Sequence, residues 1–142
     1  MTAASLRSIR PSRAPQTSRG VLIVDDEDRY ARSLKMLLGR DYEVALASDG
    51  ERALALFNGG ERYDVILCDL MMPRMSGMDL HAALGDVAPE QGEGMIFLTG
   101  GATNERARAF LARADVQHLE KPLELAELEA AIADLACVRP SL

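Results

Sequence analysis

Three apolar runs in this chain each end in a polar residue that could do chemistry. Val21-Leu22-Ile23-Val24 runs into Asp25-Asp26, Val65-Ile66-Leu67-Cys68 into Asp69, and Met95-Ile96-Phe97-Leu98 into Thr99. Lys121 follows a shorter stretch at residues 116–119 and stands directly before Pro122. Carboxylates gathered in one place repel each other, so one stays protonated unless a cation joins them. Oxygen ligands favour magnesium, calcium or manganese over zinc. With two or three carboxylates in a shallow crevice, magnesium that keeps some of its waters fits best, with manganese as its substitute. A single Asp at a strand end is ordinarily a helix cap or a solvated acid; acids at several strand ends are a different matter. Adding the Thr99 hydroxyl and the Lys121 ammonium gives a set suited to a phosphoryl group carried on a carboxylate. The metal and Lys121 would neutralise its oxygens, and Thr99 would donate a hydrogen bond to one of them.

The elements that must hold these residues follow from the pattern. Continuous apolar runs of four predict strands buried on both faces. Between them, Tyr30, Ala31, Leu34, Leu37 and Leu38 recur at helical spacing, with Asp28 as the expected cap and Gly39 as the stop. A weaker strand is expected at 43–47. A helix at 50–58 turns Ala53, Leu54 and Phe57 inward and stops at Gly59-Gly60. Further helices are expected at 78–84, around Ala107, Phe110 and Leu111, and at the C-terminal end, where Leu125, Leu128, Ile132 and Leu135 share a face. Five βα units in succession imply an α/β fold with one five-stranded parallel sheet between two helical layers. Ligands of such sheets bind at the C-terminal ends of the strands. Asp25, Asp26, Asp69, Thr99 and Lys121 should therefore meet in one crevice.

Composition excludes several classes. The chain has 142 residues, 48% of them hydrophobic, which is enough for one domain with its own core and too many for a disordered chain. No apolar run approaches the roughly 20 residues of a membrane span, and no apolar segment follows the N-terminal arginines as in a secretory signal. The net charge of −6 is uneven: residues 1–19 carry Arg7, Arg10, Arg13 and Arg19 with no acid, leaving an acidic remainder. An acidic body is a poor nucleic-acid binder. Residues 1–19 read as a basic linker, 20–137 as the domain and 138–142 as a short tail. Cys68 and Cys137 form no CxxC or Cys/His cluster, so neither a disulfide framework nor a zinc site is expected, and the expected compartment is the cytoplasm.

Taken together, Asp25-Asp26, Asp69 with the following Leu70-Met71-Met72-Pro73-Arg74-Met75-Ser76-Gly77, Thr99, and Lys121-Pro122 resemble the receiver domain of two-component response regulators. The spacing is 43 residues from Asp26 to Asp69, 30 on to Thr99 and 22 on to Lys121. The resemblance implies a flavodoxin-like, receiver-type (βα)5 fold. It implies that Asp69 accepts a phosphoryl group from a phosphohistidine on a histidine kinase or histidine phosphotransfer protein. Asp26 and Asp69 would ligate magnesium with the Met71 backbone carbonyl, Asp25 acting directly or through water. Lys121 would pair with a phosphoryl oxygen, Thr99 would move toward it, and the Lys121–Pro122 bond would be cis. Such a domain is a signalling phosphoacceptor that catalyses only its own phosphorylation and dephosphorylation.

Some positions depart from the family pattern. His118 stands where Tyr or Phe is usual in the switch; either its ring packs as a substitute or its titration biases the switch. Gly100-Gly101 after Thr99, and Met71 two after Asp69, supply no side chain to hold an attacking water, so slow hydrolysis is expected. Met36 lies with Arg29, Arg32 and Ser33 on the polar face of the first helix, where the family meets its histidine-bearing partner; Met36 and Arg29 are candidate contacts. Cys68 and the methionines of the Asp69 loop read as packing. A haloacid-dehalogenase phosphatase would begin with its nucleophile and end with its paired acids, the reverse of this order. A flavin binder would not place four acids at residues 25–28 beside a phosphate. A receiver-like scaffold that is not phosphorylated is the remaining rival. The chain is expected to be a monomer or weak dimer with no direct DNA or membrane contact, its output passing through a protein partner. It reads as either a free single-domain regulator or the C-terminal receiver of a hybrid histidine kinase, the latter suggested by the strings around Thr99 and Lys121.

Overall fold

Val21 through Val24, Val65 through Cys68 and Met95 through Leu98 are all 3% exposed or less, which only strands covered on both faces can be. The computed structural model describes residues 19–101 and 104–138. In chain order the elements are β1 (Arg19–Val24), α1 (Asp28–Leu38), β2 (Tyr42–Ala47), α2 (Gly50–Asn58), β3 (Val65–Asp69), α3 (Gly77–Val87), α4 (Pro89–Gly92), β4 (Met95–Thr99), α5 (Glu105–Leu111), β5 (Gln117–Glu120) and α6 (Leu125–Val138). The five strands form one parallel sheet in the order β2-β1-β3-β4-β5. The doubly wound α/β architecture expected from the sequence is the one present.

Each buried strand feeds two cores. Leu22, Val24, Ile66, Cys68, Met95 and Phe97 pack with Ala53, Phe57, Leu80, Leu84 and Phe110 of α2, α3 and α5. Val21, Ile23, Val65, Leu67, Ile96 and Leu98 pack with Ala31, Leu34 and Leu38 of α1 and Leu128, Ile132 and Leu135 of α6. Alternation along the strand assigns successive side chains to opposite faces. Asp25, Asp69 and Lys121 continue the alternation of Ile23, Leu67 and Leu119, so they extend the α1/α6 face beyond its apolar part.

Local chemistry sets the helix ends. Ser76 Oγ accepts the Asp79 N–H at 3.1 Å while Asp79 Oδ2 accepts the Ser76 N–H at 3.0 Å, a capping box that starts α3. Asp49 caps α2 through the Arg52 N–H at 2.7 Å, and Asn104 caps α5 through the Ala107 N–H at 2.7 Å.

Several expectations need correction. Asp28 does not cap α1; it is the first helical residue and pairs with Arg32 at 3.1 Å, while Glu27 holds the cap position without a side-chain bond. Leu37 is 48% exposed and Leu125 36% exposed, so neither joins the apolar stripe expected of it. Helix α4 was not expected. It carries no apolar period and is held by buried Gln91, whose side-chain oxygen accepts the Tyr63 N–H at 2.7 Å. Strand β5 lies one residue later than expected and is mostly exposed, as an edge strand of polar sequence can be. Of the two expected tails, only Arg19 and Val138 fall within the described residues.

The start of α3 presses against the end of β3. A methyl group on Gly77 would stand 2.7 Å from the Asp69 carbonyl oxygen and 3.1 Å from Leu70 Cα. Gly77→Ala should therefore lower the unfolding free energy by roughly 1–3 kcal/mol, read from urea transitions. Gly85→Ala in the same helix, where the added methyl meets nothing within 4 Å, should raise it by up to about 1 kcal/mol. Equal effects of the two changes would mean that the approach to β3 imposes no constraint.

Candidate functional site

Backbone bonds between neighbouring strand ends bring the site residues level. The Asp25 N–H donates to Ala47 O at 3.1 Å, the Leu70 N–H to Leu98 O at 2.9 Å, and the Lys121 N–H to Thr99 O at 2.8 Å. Asp25 lies just past β1, Asp69 and Thr99 end β3 and β4, and Lys121 lies just past β5. Because β1 and β3 are adjacent while β2 lies outside, the crevice opens where the strand order reverses. The Lys121–Pro122 peptide is cis, as expected.

Burial and charge make this cluster unusual. Asp25 is 1% exposed and Asp69 8% exposed, whereas Asp26 is exposed. Asp25 accepts the Glu27 N–H on Oδ1 at 2.8 Å and the Lys121 ammonium on Oδ2 at 3.2 Å. The same ammonium lies 3.6 Å from Glu27 Oε1 and 3.7 Å from Asp69 Oδ1. One carboxylate oxygen from each of Asp25, Asp26 and Asp69 falls within 4.8 Å of the others. One ammonium cannot balance that set. Burial first, then the charges of Asp25 and Asp26, push the Asp69 carboxyl up to about 7, against the pull of Lys121 and the Met71 backbone N–H. Burial alone would depress Lys121, but Asp69 and Asp25 outweigh it and hold the ammonium above its ordinary pKa. A buried carboxyl that ionises reluctantly beside two other oxygen donors fits a hard divalent cation.

The remaining expected residues are less tightly gathered. Thr99 is buried, and its hydroxyl oxygen accepts the Gly101 N–H at 2.9 Å. Gly101 has φ +113, a conformation that favours glycine. Met71 is 42% exposed, and its backbone N–H faces the Asp69 carboxyl. His118 stands beside Phe97 in the β4–β5 register, but its side chain is exposed and does not join the cluster. Met36 is 78% exposed on α1 and Arg29 is also exposed; neither touches the carboxylates through a hydrogen bond or ion pair. Cys68 is buried and its thiol donates to the Asp69 carbonyl at 3.3 Å. Burial, then Asp69 and Asp25, push that thiol far above its ordinary pKa, so it stays protonated.

One neighbour was assigned to the core by its spacing alone. The Tyr30 ring lies with its centroid 4.5 Å from the Lys121 nitrogen. Its place in the first turn of α1, on the face toward the strand ends, was the available signal.

Comparisons with known proteins agree with this geometry. Residues 21–133 match the family model of the response regulator receiver domain. The transcriptional regulatory protein SrrA of Staphylococcus aureus is 38% identical over 115 residues, covering 78% of this chain and 45% of that protein. The chain thus spans under half the length of the curated relatives it matches. A response regulator receiver domain protein from Clostridium thermocellum superposes with a TM-score of 0.73 at 30% identity, covering 85% of this chain and 96% of the other. The receiver domain of a signal transduction histidine kinase from Syntrophus aciditrophicus gives 0.72 at 27% identity, over 88% and 96%. The response regulator TrrA of Thermotoga maritima, in complex with Mg2+ and BeF, gives 0.66 at 28% identity, over 82% and 98%. With its sheet order, its strand-end acids and a family match over most of its length, this chain belongs to the response regulator receiver domain family.

Proposed function

We propose that Asp69 is the phosphoacceptor of a two-component relay, taking its phosphoryl group from a phosphohistidine on a histidine kinase or histidine phosphotransfer protein. The observation that carries this reading is the convergence of Asp25, Asp26 and Lys121 on a carboxylate, Asp69, that is 92% covered yet open at the strand-end crevice (8% exposed). In the reaction an Asp69 oxygen attacks phosphorus and the P–N bond breaks. Its electron pair leaves with the imidazole, which takes up a proton. Asp25, Asp26, Asp69 and the Met71 carbonyl would hold a divalent cation, magnesium or its substitute manganese, which supplies charge neutralisation for the phosphoryl oxygens. Lys121, now 3.2 Å from Asp25 and 3.7 Å from Asp69, would turn to a phosphoryl oxygen. Thr99 has its hydroxyl oxygen engaged as an acceptor, so its proton remains to be donated.

The partner surface proposed is the polar face of α1, with Arg29 in its first turn and Met36 about two turns further along, both exposed. We also infer that His118, being exposed, takes the part of the usual inward-turning aromatic only after modification. The domain matches under half of a longer transcriptional regulatory protein and also the receiver of a signal transduction histidine kinase; the latter resembles the hybrid-kinase arrangement expected from the sequence.

Incubation with Mg2+ and a small phosphodonor should give an acid-stable, base-labile adduct one phosphoryl group heavier by intact mass, absent in Asp69→Ala. No adduct on the wild type would leave the non-phosphorylated scaffold as the better reading. The adduct should also hydrolyse slowly, because Met71 and Gly101 offer no polar side chain to position water. Met71→Asn should shorten its lifetime severalfold; decay within seconds that is unchanged by Met71→Asn would contradict the assignment.

A further inference from the structure

The Lys121 ammonium lies near three acids and over the face of an aromatic ring. Among the described residues its one partner inside hydrogen-bonding range is Asp25 at 3.2 Å; Glu27 and Asp69 lie at 3.6 and 3.7 Å. The Tyr30 centroid is 4.5 Å from the same nitrogen, well within the range of a cation–π contact. We propose that Tyr30 is a positioning residue for phosphorylation, its ring holding the Lys121 ammonium beside Asp69 while Lys121 exchanges Asp25 for a phosphoryl oxygen. This rests on the phosphoacceptor reading above and deepens it.

Three observations carry the proposal. The first is that Lys121 reaches the site on a flexible four-carbon stem, and its one close partner, Asp25, is also one of the clustered oxygen donors. A cation taken up by Asp25 would compete with the ammonium for that carboxylate. A ring face attracts an ammonium without occupying its hydrogen-bond donors or competing for the cation, so it can retain Lys121 through the exchange. The second is the phenol oxygen. It is buried close to the Leu123 backbone but closes no hydrogen bond of good geometry among the described residues. What Tyr30 offers Lys121 is thus its ring, while the hydroxyl lies against the Leu123 backbone. Burial also pushes the phenol upward, so the neutral ring faces the ammonium at physiological pH. The third is rigidity. Tyr30 belongs to the first turn of α1, which is anchored by Ala31 at 3% and Leu34 at 4% exposure, and the ring packs on the α1/α6 core. The ring thus has a fixed place against which the mobile stem can rest.

The test uses the full chain with Mg2+ and beryllofluoride, a phosphoryl mimic, with affinity followed by the NMR shift of the Thr99 amide. Tyr30→Phe should bind within about twofold of wild type, whereas Tyr30→Leu should weaken binding by roughly tenfold. Tyr30→Leu made in a Lys121→Met background should add no further loss, which a general packing defect would not reproduce. Circular dichroism checks the fold, and Tyr30→Met replaces Tyr30→Leu if the latter unfolds. Wild-type affinity in Tyr30→Leu, or an equal loss in Tyr30→Phe, overturns the positioning role alone. A wild type that binds no beryllofluoride overturns the phosphoacceptor reading and this role with it.

Discussion

Three carboxylates within 4.8 Å and one ammonium form the constraint on which the rest of this structure depends. At an effective dielectric of about 20, each pair of unit charges at that distance repels by roughly 3 kcal/mol. The chain answers the repulsion in two ways. Lys121 lies across Asp25, Glu27 and Asp69, and Asp69 stays reluctant to ionise, with its carboxyl raised to about 7 by burial and by its acidic neighbours. In the metal-free protein the folded state therefore binds the Asp69 proton more tightly than the unfolded chain does. The contribution of Asp69 to stability is full below the ordinary carboxylate pKa and is lost as pH rises through about 7. Such a site is primed to gain from a cation.

Holding like charges together requires a scaffold that does not yield. The three interior strands, β1, β3 and β4, are covered on both faces, and the α1 and α6 helices pack against the sheet face that the acids extend. Backbone bonds at the strand ends fix Asp25, Thr99 and Lys121 to their neighbours, and Gly77 lets α3 close against the carbonyl of Asp69. Cover is thinner toward the β5 edge of the sheet. Strand β5, which carries His118, is an exposed edge, and Thr99 is followed by glycines. Rigidity is concentrated where charge must be held, and freedom where a response to modification is proposed.

The sheet was legible because each of its buried strands is an unbroken apolar run, and the clustering at its edge was legible because those runs lead into Asp25, Asp69 and Thr99. What escaped was set by tertiary position. Leu37 and Leu125 obey the helical period yet face solvent, since the width of the stripe a helix buries depends on the neighbour it meets. Asp28 is a good cap by type, but Asp25 takes the Glu27 N–H and thereby decides where α1 begins. Helix α4 depends on one buried glutamine that bonds to a residue 28 positions away, which no local pattern announces. Tyr30 reads as core from its spacing, and it does pack on the core; only the fold brings Lys121, from the far end of the chain, onto its ring.

The acidic cluster carries more negative charge than Lys121 balances, which is what a site for a hard cation would require. The most direct test is calorimetric titration with Mg2+ between about pH 5 and 8, repeated in buffers of different ionisation enthalpy to count protons. Affinity should fall as pH drops below about 7, with proton release on binding that disappears in Asp69→Asn. Binding that is independent of pH and releases no proton, or release that survives in Asp69→Asn, would contradict it.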